Sequence, residues 1–173
     1  MIDDDALSDS TKGGMAVEVV ESVWSMDSTS KTPRRTLELA GRIGKRPVRM
    51  LIDSGATGNY VSAQECAARK LKIEKEKNGK ELTMADGSKV RTIGRVRLNV
   101  RCGGYYGIVE ARVFPQMSKP LILGMPWLVK ENPHINWTRS TVVVQRGQEW
   151  ISLPLASLDE DQSVHQVNQT TAK

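Results

Sequence analysis

The most constraining feature of this sequence is a pair of alternating apolar stretches, joined by a tight turn and ended by a carboxylate. In residues 37–43 and again in residues 46–52, apolar or small side chains fall on every second position. Alternation with period two around the two-residue turn Gly44-Lys45 predicts an antiparallel β-hairpin. The second strand ends in Met50-Leu51-Ile52-Asp53, so a carboxylate follows three large apolar side chains. Because an unpaired buried charge is costly, the fold must provide partners or a function for Asp53.

Similar alternating stretches recur along the chain, and they predict a mainly β fold. Asp86-Gly87 lies between two short alternating stretches and favours a hairpin, because a type I′ turn needs positive φ at both central residues. The continuous apolar run Leu121-Ile122-Leu123 predicts a strand that is buried on both faces. Further strands are predicted in residues 96–100, 109–113, 141–145 and 149–155.

Two short helices are predicted between these strands. Ser62 and Glu65 form a capping box, and the apolar residues that follow repeat at helical spacing. Pro126 suits the first turn of a second helix, which Asn132-Pro133 is expected to end. Together the elements predict a closed, β-barrel-like or orthogonally packed fold with two short helices.

The composition divides the chain into three segments. Residues 1–33 are rich in Ser, Thr, Asp and Gly, which predicts a flexible leader or spacer. Within it, the stretch from Val17 to Trp24 is apolar enough for a short strand or helix, and its periodicity does not decide between them. Residues 34–156 form the predicted domain, and residues 157–173 are polar enough to predict a disordered tail.

Composition also excludes several functional classes. With two His and two Cys, the chain cannot supply a Cys₄ zinc site, and the spacing of Cys66 and Cys102 suits neither a zinc site nor a disulfide framework. No apolar run approaches the ~20 residues of a membrane helix, and the start of the chain is acidic, unlike a signal peptide. We therefore expect an intracellular, cytoplasmic chain without membrane contact, or a piece of a longer protein. The charge balance of 25 Lys and Arg against 20 Asp and Glu predicts weak or no nucleic-acid binding.

Asp53 is followed by Ser54-Gly55-Ala56-Thr57, all of them small. Small residues let backbone N–H groups approach the carboxylate and leave room for a ligand. An ordinary turn aspartate followed by a glycine with positive φ is the alternative that this tetrapeptide leaves open.

Four blocks of sequence, taken in order, resemble one protein family. Residues 51–57 look like the active-site loop of retropepsin-type aspartic proteases, and residues 84–88 with Gly94 resemble the hairpin that follows it. Residues 121–128 and 132–137 complete a signature that is similar to proteases of gypsy-like long-terminal-repeat retrotransposons, although Asn136 stands where the family usually has Asp. Four ordered blocks are far more specific than one tetrapeptide.

The resemblance implies a retropepsin-like acid-protease fold and a role for each matched residue. It implies that Asp53 is catalytic, that Ser54 and Gly55 support the catalytic carboxylates, and that Gly124 crosses beneath the active-site loop. The substrate-binding residues that it implies are Ala56 and Thr57 in the loop and Met84, Ala85, Asp86, Gly87 and Ser88 in a flap.

Such proteases hold a water molecule between two carboxylates, which share one proton because two like charges about 3 Å apart do not both ionise readily. The chain carries a single Asp-Ser-Gly, and its other aspartates lie in the hairpin turn, the leader or the tail. We therefore expect a homodimer in which each subunit contributes Asp53. No metal or organic cofactor is needed.

Two departures from the retroviral relatives concern the cleft. Those relatives usually have Asp where Thr57 stands and Arg where Met125 stands, and the two interact. Since both are replaced here, as in the retrotransposon branch, the dimer and the cleft must be held together differently.

The expected function is an aspartic endopeptidase that processes a Gag-Pol polyprotein, in the cytoplasm or within virus-like particles. A catalytically silent, domesticated dimerisation or peptide-binding module is the main alternative, and an RNA-binding protein is a third. His134 is predicted to lie in a loop and His165 in the tail, without a hydrolytic role. Trp127, Trp137 and Trp150 are interpreted as core or interface residues.

Overall fold

A computed structural model describes residues 19–20, 36–84 and 87–157 of the chain, with the backbone alone at residues 19–20. The two helices are α1 (Ala63–Ala68) and α2 (Met125–Glu131). The strands are β1 (Val19–Val20), β2 (Glu38–Ile43), β3 (Arg46–Ile52), β4 (Tyr60–Ser62), β5 (Glu74–Lys75), β6 (Glu81–Met84), β7 (Lys89–Arg91), β8 (Gly94–Cys102), β9 (Tyr105–Phe114), β10 (Leu121–Leu123), β11 (His134–Asn136), β12 (Thr141–Arg146) and β13 (Glu149–Leu153).

Six of these strands close into a barrel. Their order is β2-β3-β10-β4-β9-β8, and β8 returns to β2 through the pairs Arg42↔Arg101 and Ile43↔Val100. Strand β5 pairs with the first two residues of β8, Gly94 and Arg95. Closure removes the exposed edges of an open sheet. The predicted mainly β, closed fold with two short helices is confirmed.

The apolar side chains of the alternating stretches fill the barrel interior. Along β8, Val96, Leu98 and Val100 point inward and are buried, while Arg95 and Arg97 between them are exposed. Each fully buried aliphatic side chain of this kind contributes about 1.5–3 kcal/mol by leaving water. A strand with one face toward the core and one toward water alternates apolar and polar residues along the sequence, which is why the pattern located these strands.

Strand β10 lies between β3, with which it runs parallel, and β4, with which it runs antiparallel. All three of its residues are buried, so the continuous apolar run does mark a buried strand, as predicted. The register pairs Leu123 with Ile52, the last residue of β3. The residues that follow the two strands, Gly124 and Asp53, are thereby brought side by side.

Both helices begin where the sequence predicts. The Ser62 hydroxyl accepts a hydrogen bond of 3.0 Å from the Glu65 N–H, as an N-cap does. Helix α2 ends at Glu131, and its C-terminal cap, Asn132, has a left-handed φ of 41° immediately before Pro133. None of the helices in the described parts of the chain is long and apolar enough to cross a membrane.

After α2 the chain forms a three-stranded antiparallel sheet in the order β11-β12-β13. Val142, Val144 and Leu153 of this sheet are buried in the barrel core. The backbone then runs beside β2, where the Ala40 N–H donates to the Pro154 oxygen and the Ala156 N–H to the Glu38 oxygen, both at 2.8 Å. The sheet is thus an integral part of the folded unit.

Several details of the sequence prediction are wrong here. His134 lies in β11 and not in a loop, and its ring packs edge-on against that of Trp150 at 4.7 Å. Of the three tryptophans interpreted as core or interface residues, Trp127 is buried in the core, whereas Trp137 and Trp150 are 70% and 53% exposed, so that for these two an interface role stays a prediction. The short strands β4, β5 and β11 were not predicted. The predicted segment boundaries at residues 33 and 156 stay a prediction.

A buried carboxylate joins α2 to the barrel and to the last sheet. Glu131 accepts a hydrogen bond of 3.1 Å from the Tyr105 hydroxyl, and its other oxygen lies 2.5 Å from an Arg146 nitrogen. The Trp127 indole N–H donates to the same tyrosine oxygen at 3.3 Å. Burial is the main reason that the pKa of Tyr105 is raised to about 12. Three elements are therefore fixed to one another at this point.

Candidate active site

Asp53 lies directly after β3, half-buried at the end of the strand. Its N–H donates to the Leu123 oxygen at 3.1 Å, which ties it to the end of β10. One carboxylate oxygen, Oδ1, accepts a hydrogen bond of 2.9 Å from the Gly55 N–H. The strand end therefore presents a carboxylate with one oriented oxygen and partial access to solvent.

The loop after Asp53 packs against the start of α2. Ala56 is fully buried, and its oxygen accepts a hydrogen bond of 2.8 Å from the Met125 N–H. A Cβ atom at Gly124 would collide with the backbone oxygens of Ala56 and Gly58. Gly124 is therefore required by close approach, and the structure places it directly against the loop.

Asn59 holds this crossing together, and sequence reasoning missed it. Its side-chain oxygen accepts from the Gly124 N–H at 3.0 Å, and its side-chain nitrogen donates to the Glu110 oxygen at 3.1 Å. Its own backbone oxygen accepts from the Arg112 N–H at 2.8 Å. In the sequence, Asn59 stands between Gly58 and the apolar pair Tyr60-Val61. A single amide residue in that position does not by itself indicate burial.

A small apolar cluster lies beneath the loop. Tyr60 is buried there, with its ring edge-on to Phe114 at 6.1 Å and its hydroxyl 3.5 Å from the Thr57 hydroxyl. Burial raises the pKa of Tyr60, so its phenol stays neutral. Ala56, Leu82 and Ile122 belong to the same cluster. The loop is thus packed from below and has little freedom to shift.

The hairpin formed by β6 and β7 contacts this cluster. Leu82 is fully buried in it, and Met84 packs against it with partial exposure. At the hairpin end the Met84 N–H donates to the Ser88 oxygen at 2.8 Å, and Gly87 has a positive φ of 80°. The predicted substrate-binding residues Met84, Gly87 and Ser88 are therefore placed on this hairpin. The predicted residues Ala85 and Asp86 lie outside the described residues.

The other edge of β6 carries an additional strand. The backbone of β1 pairs with it in parallel, in the register Val19↔Thr83 and Val20↔Met84. The undecided apolar stretch near residue 20 thus includes a strand. The outer edge of the hairpin accepts extended chain.

The residues that face outward differ in character. Ser54 is exposed, and its hydroxyl makes no hydrogen bond to the parts of the chain that the structure describes. The Met125 side chain is also exposed. Retroviral relatives are expected to carry an Asp–Arg pair at the positions of Thr57 and Met125. Here the Thr57 hydroxyl contacts the Tyr60 hydroxyl instead, and Met125 presents an exposed thioether.

The described residues offer little other chemistry. They include no group of three or more His, Cys, Asp or Glu side chains that could hold a metal ion. Cys66 and Cys102 are free and buried, and burial raises the pKa of both thiols, that of Cys102 to about 11. Asp53 is the one aspartate among the residues described. One chain therefore supplies one carboxylate to this loop.

Comparisons with known proteins match this chain to one family and to solved structures. The model of the PEG10/RTL1 protease domain family matches residues 49–152, more than half of the chain. The retroviral protease-like domain of Ddi1 from Leishmania major matches with a TM-score of 0.57 and 17% identity, over 72% of this chain and 97% of that one. EIAV protease in complex with the inhibitor HBY-793 has a TM-score of 0.47 and 18% identity, over 58% of this chain and 92% of that one. No curated protein matches the sequence.

Proposed function

The chain belongs to the PEG10/RTL1 protease domain family, and from this premise we propose that it is an aspartic endopeptidase. The observation that carries the proposal is the half-buried Asp53 carboxylate, held at a strand end by the Gly55 N–H. A carboxylate with one oriented oxygen and access to solvent can act on a water molecule. In this role Asp53 takes or gives the proton while the water attacks a peptide carbonyl.

The second carboxylate comes from a second copy of the chain. General acid–base hydrolysis of this type needs two carboxylates that share one proton, and the described residues contain a single aspartate. A two-fold axis beside Asp53 supplies the other one in an identical setting. Ser54 is exposed, and its hydroxyl has no hydrogen-bond partner among the residues described, so it is suited to donate a hydrogen bond to the partner's loop and align the two carboxylates.

The substrate lies as an extended strand between the active-site loop and the β6–β7 hairpin. Gly55 and Thr57, both partly exposed, form the wall below it, with the buried Ala56 packed between them, and Met84, Gly87 and Ser88 of the hairpin cover it from above. The pairing of β1 with the outer edge of β6 supports this proposal, since it shows that the hairpin forms a ladder with extended chain. Closure of the hairpin excludes water from the reaction.

The resemblance of the sequence blocks to retrotransposon proteases supports a Gag-Pol polyprotein as the substrate, cleaved at its junctions in the cytoplasm. The reaction needs no metal or organic cofactor, because the nucleophile is water and two carboxylates manage its protons. The alternative is a domesticated module that binds peptides or dimerises without cleaving. The parallel strand on β6 favours it as a second candidate, because this edge holds extended chain without any chemistry.

The test is cleavage of a peptide library by the purified full chain at several pH values. Asp53→Asn should abolish cleavage while leaving the fold and peptide binding intact, and Glu74→Gln, which neutralises an exposed carboxylate on β5, should change neither. Cleavage by the Asp53→Asn chain would rule out the proposed mechanism. Binding of peptides without cleavage by the unaltered chain at any pH would support the silent module.

A further inference from the structure

A groove of about 570 Å³ opens beside the active-site loop. It begins at residues 57–59, which directly follow Asp53-Ser54-Gly55-Ala56 in the chain. Strand β9 forms its floor at residues 108–112, and helix α2 forms one wall with Pro126, Trp127 and Lys130. The groove therefore adjoins the end of the loop that carries the catalytic carboxylate.

The groove is strongly cationic. Four basic side chains line it against one acidic side chain, Glu110; the four are Arg95, Arg97, Arg112 and Lys130. The cause is local: Arg95 and Arg97 are outward positions of β8, and the pairs Arg95↔Arg112 and Arg97↔Glu110 place the β9 residues beside them. Charges of one sign in a concave surface attract ligands of the opposite sign.

Arg95 and Arg112 are held in ion pairs with a partly buried carboxylate, whereas Arg97 and Lys130 are paired more weakly. Arg95 and Arg112 hold the two oxygens of Glu76, at 2.5 and 3.1 Å. Arg97 lies 3.5 Å from Glu110, but both side chains are about two-thirds exposed, at 65% and 68%. A pair that exposed contributes ~0–1 kcal/mol, so an incoming carboxylate can displace Glu110 from Arg97.

Lys130 stands across the groove from β8. Its ammonium donates to the Ile108 oxygen at 3.2 Å and is 4.0 Å from Glu131, whose carboxylate is already held by Tyr105 and Arg146. An ammonium has three donors, so Lys130 retains capacity for a further acceptor. The Ile108 side chain lines the same groove, is exposed, and offers an apolar surface to the stem of a Glu side chain.

We propose that this groove binds acidic residues of the substrate outside the cleaved bond, so that the protease prefers peptides with an acidic extension. The inference rests on the proposed function, because it assigns a specificity site to the same cleft. A peptide advances about 3.3 Å per residue when extended, and one that crosses the loop from Asp53 toward Asn59 enters the groove. Arg97 and Lys130 then receive its carboxylates. An acidic peptide fits better than a nucleic acid, because the groove adjoins the proposed peptide site and includes the carboxylate of Glu110 in its lining, which would repel a phosphate backbone.

The experiment measures peptide binding to the full-length Asp53→Asn chain, so that cleavage is not needed. Two labelled peptides of equal length are compared by fluorescence anisotropy, one with Glu and Asp in its extension and one with Gln and Asn. Combined Arg97→Gln and Lys130→Gln should weaken binding of the acidic peptide about five- to tenfold and leave the neutral peptide unchanged. Glu110→Gln should strengthen binding of the acidic peptide, and added salt should reduce the difference between the two peptides.

Arg101→Gln is the matched control, because Arg101 is an outward residue of the same strand and does not line the groove. Equal binding of both peptides, or an equal effect of Arg101→Gln, would overturn the inference. So would a change in dimer association with no change in peptide affinity, since a second copy of the chain would then occupy the groove. If acidic peptides bind as predicted but the unaltered chain cleaves none, the groove stands and the proposed function fails.

Discussion

Replacing Asn59 by alanine tests whether the crossing beneath the active-site loop is held as described. The substitution removes the acceptor of the buried Gly124 N–H and the donor to the Glu110 oxygen. Leaving the buried Gly124 N–H without a partner costs about 1–3 kcal/mol and losing the part-buried bond to the Glu110 oxygen about 0.5–1.5 kcal/mol, so together they should lower the free energy of unfolding by about 1.5–4.5 kcal/mol. For a domain of this size that corresponds to a fall in Tm of roughly 5–15 °C.

Urea denaturation followed by tryptophan fluorescence measures this change, because Trp127 is buried at the start of α2, next to Gly124. Asn99→Ala is the matched control: Asn99 is exposed on β8 and accepts one hydrogen bond of 3.2 Å from Tyr106. Its removal should change the unfolding free energy by about 0.5 kcal/mol or less. Equal effects of the two substitutions would show that Asn59 does not hold the loop to Gly124.

Two further substitutions probe the framework of the site. Gly124→Ala places a methyl group against the oxygens of Ala56 and Gly58, so it should lower the free energy of unfolding by about 1–3 kcal/mol and reduce peptide cleavage. Gly104→Ala is the control, because a methyl group there meets its neighbours at ordinary contact distances and should be tolerated. Unchanged cleavage by Gly124→Ala would contradict the described crossing. Tyr105→Phe removes a hydrogen bond to the buried Glu131 and should cost about 1–3 kcal/mol near neutral pH. Because the pKa of Tyr105 is raised from 10.0 to about 12, its stabilising effect is fully present below pH 10 and is lost as the pH rises toward 12. Unfolding curves at pH 9 and 12 should therefore show a smaller alkaline loss of stability in Tyr105→Phe, and an equal loss would refute this role of the phenol.

The barrel could be predicted because its strands are half-buried. Alternation locates β2, β3, β8 and β9, where one face meets the core and the other meets water. The same reasoning placed Asp53 at the end of a buried strand and Ser62 at the start of α1. These features depend on neighbours in the sequence, so the sequence displays them.

The missed features depend on contacts between distant segments. Strands β4, β5 and β11 are two or three residues long, too short for a period to show, and form because longer strands lie beside them. The burial of Asn59 follows from the crossing of Gly124, which is 65 residues away in the chain. For Trp137 and Trp150 the sequence leaves open whether they belong to the core or to an interface; they are exposed, because the last sheet buries Val142, Val144 and Leu153 instead. The groove is likewise invisible in the sequence, since β8, β9 and α2 contribute its charges separately.

The central claim is that Asp53 acts together with the Asp53 of a second copy. A crystal structure of the full chain with a statine-type peptide inhibitor tests it most directly, because the inhibitor's hydroxyl takes the place of the attacking water. The account predicts a two-fold dimer in which the two Asp53 carboxylates lie about 3 Å apart and both face that hydroxyl. An inhibitor bound to a single chain, or two Asp53 side chains too far apart to share a proton, would contradict it.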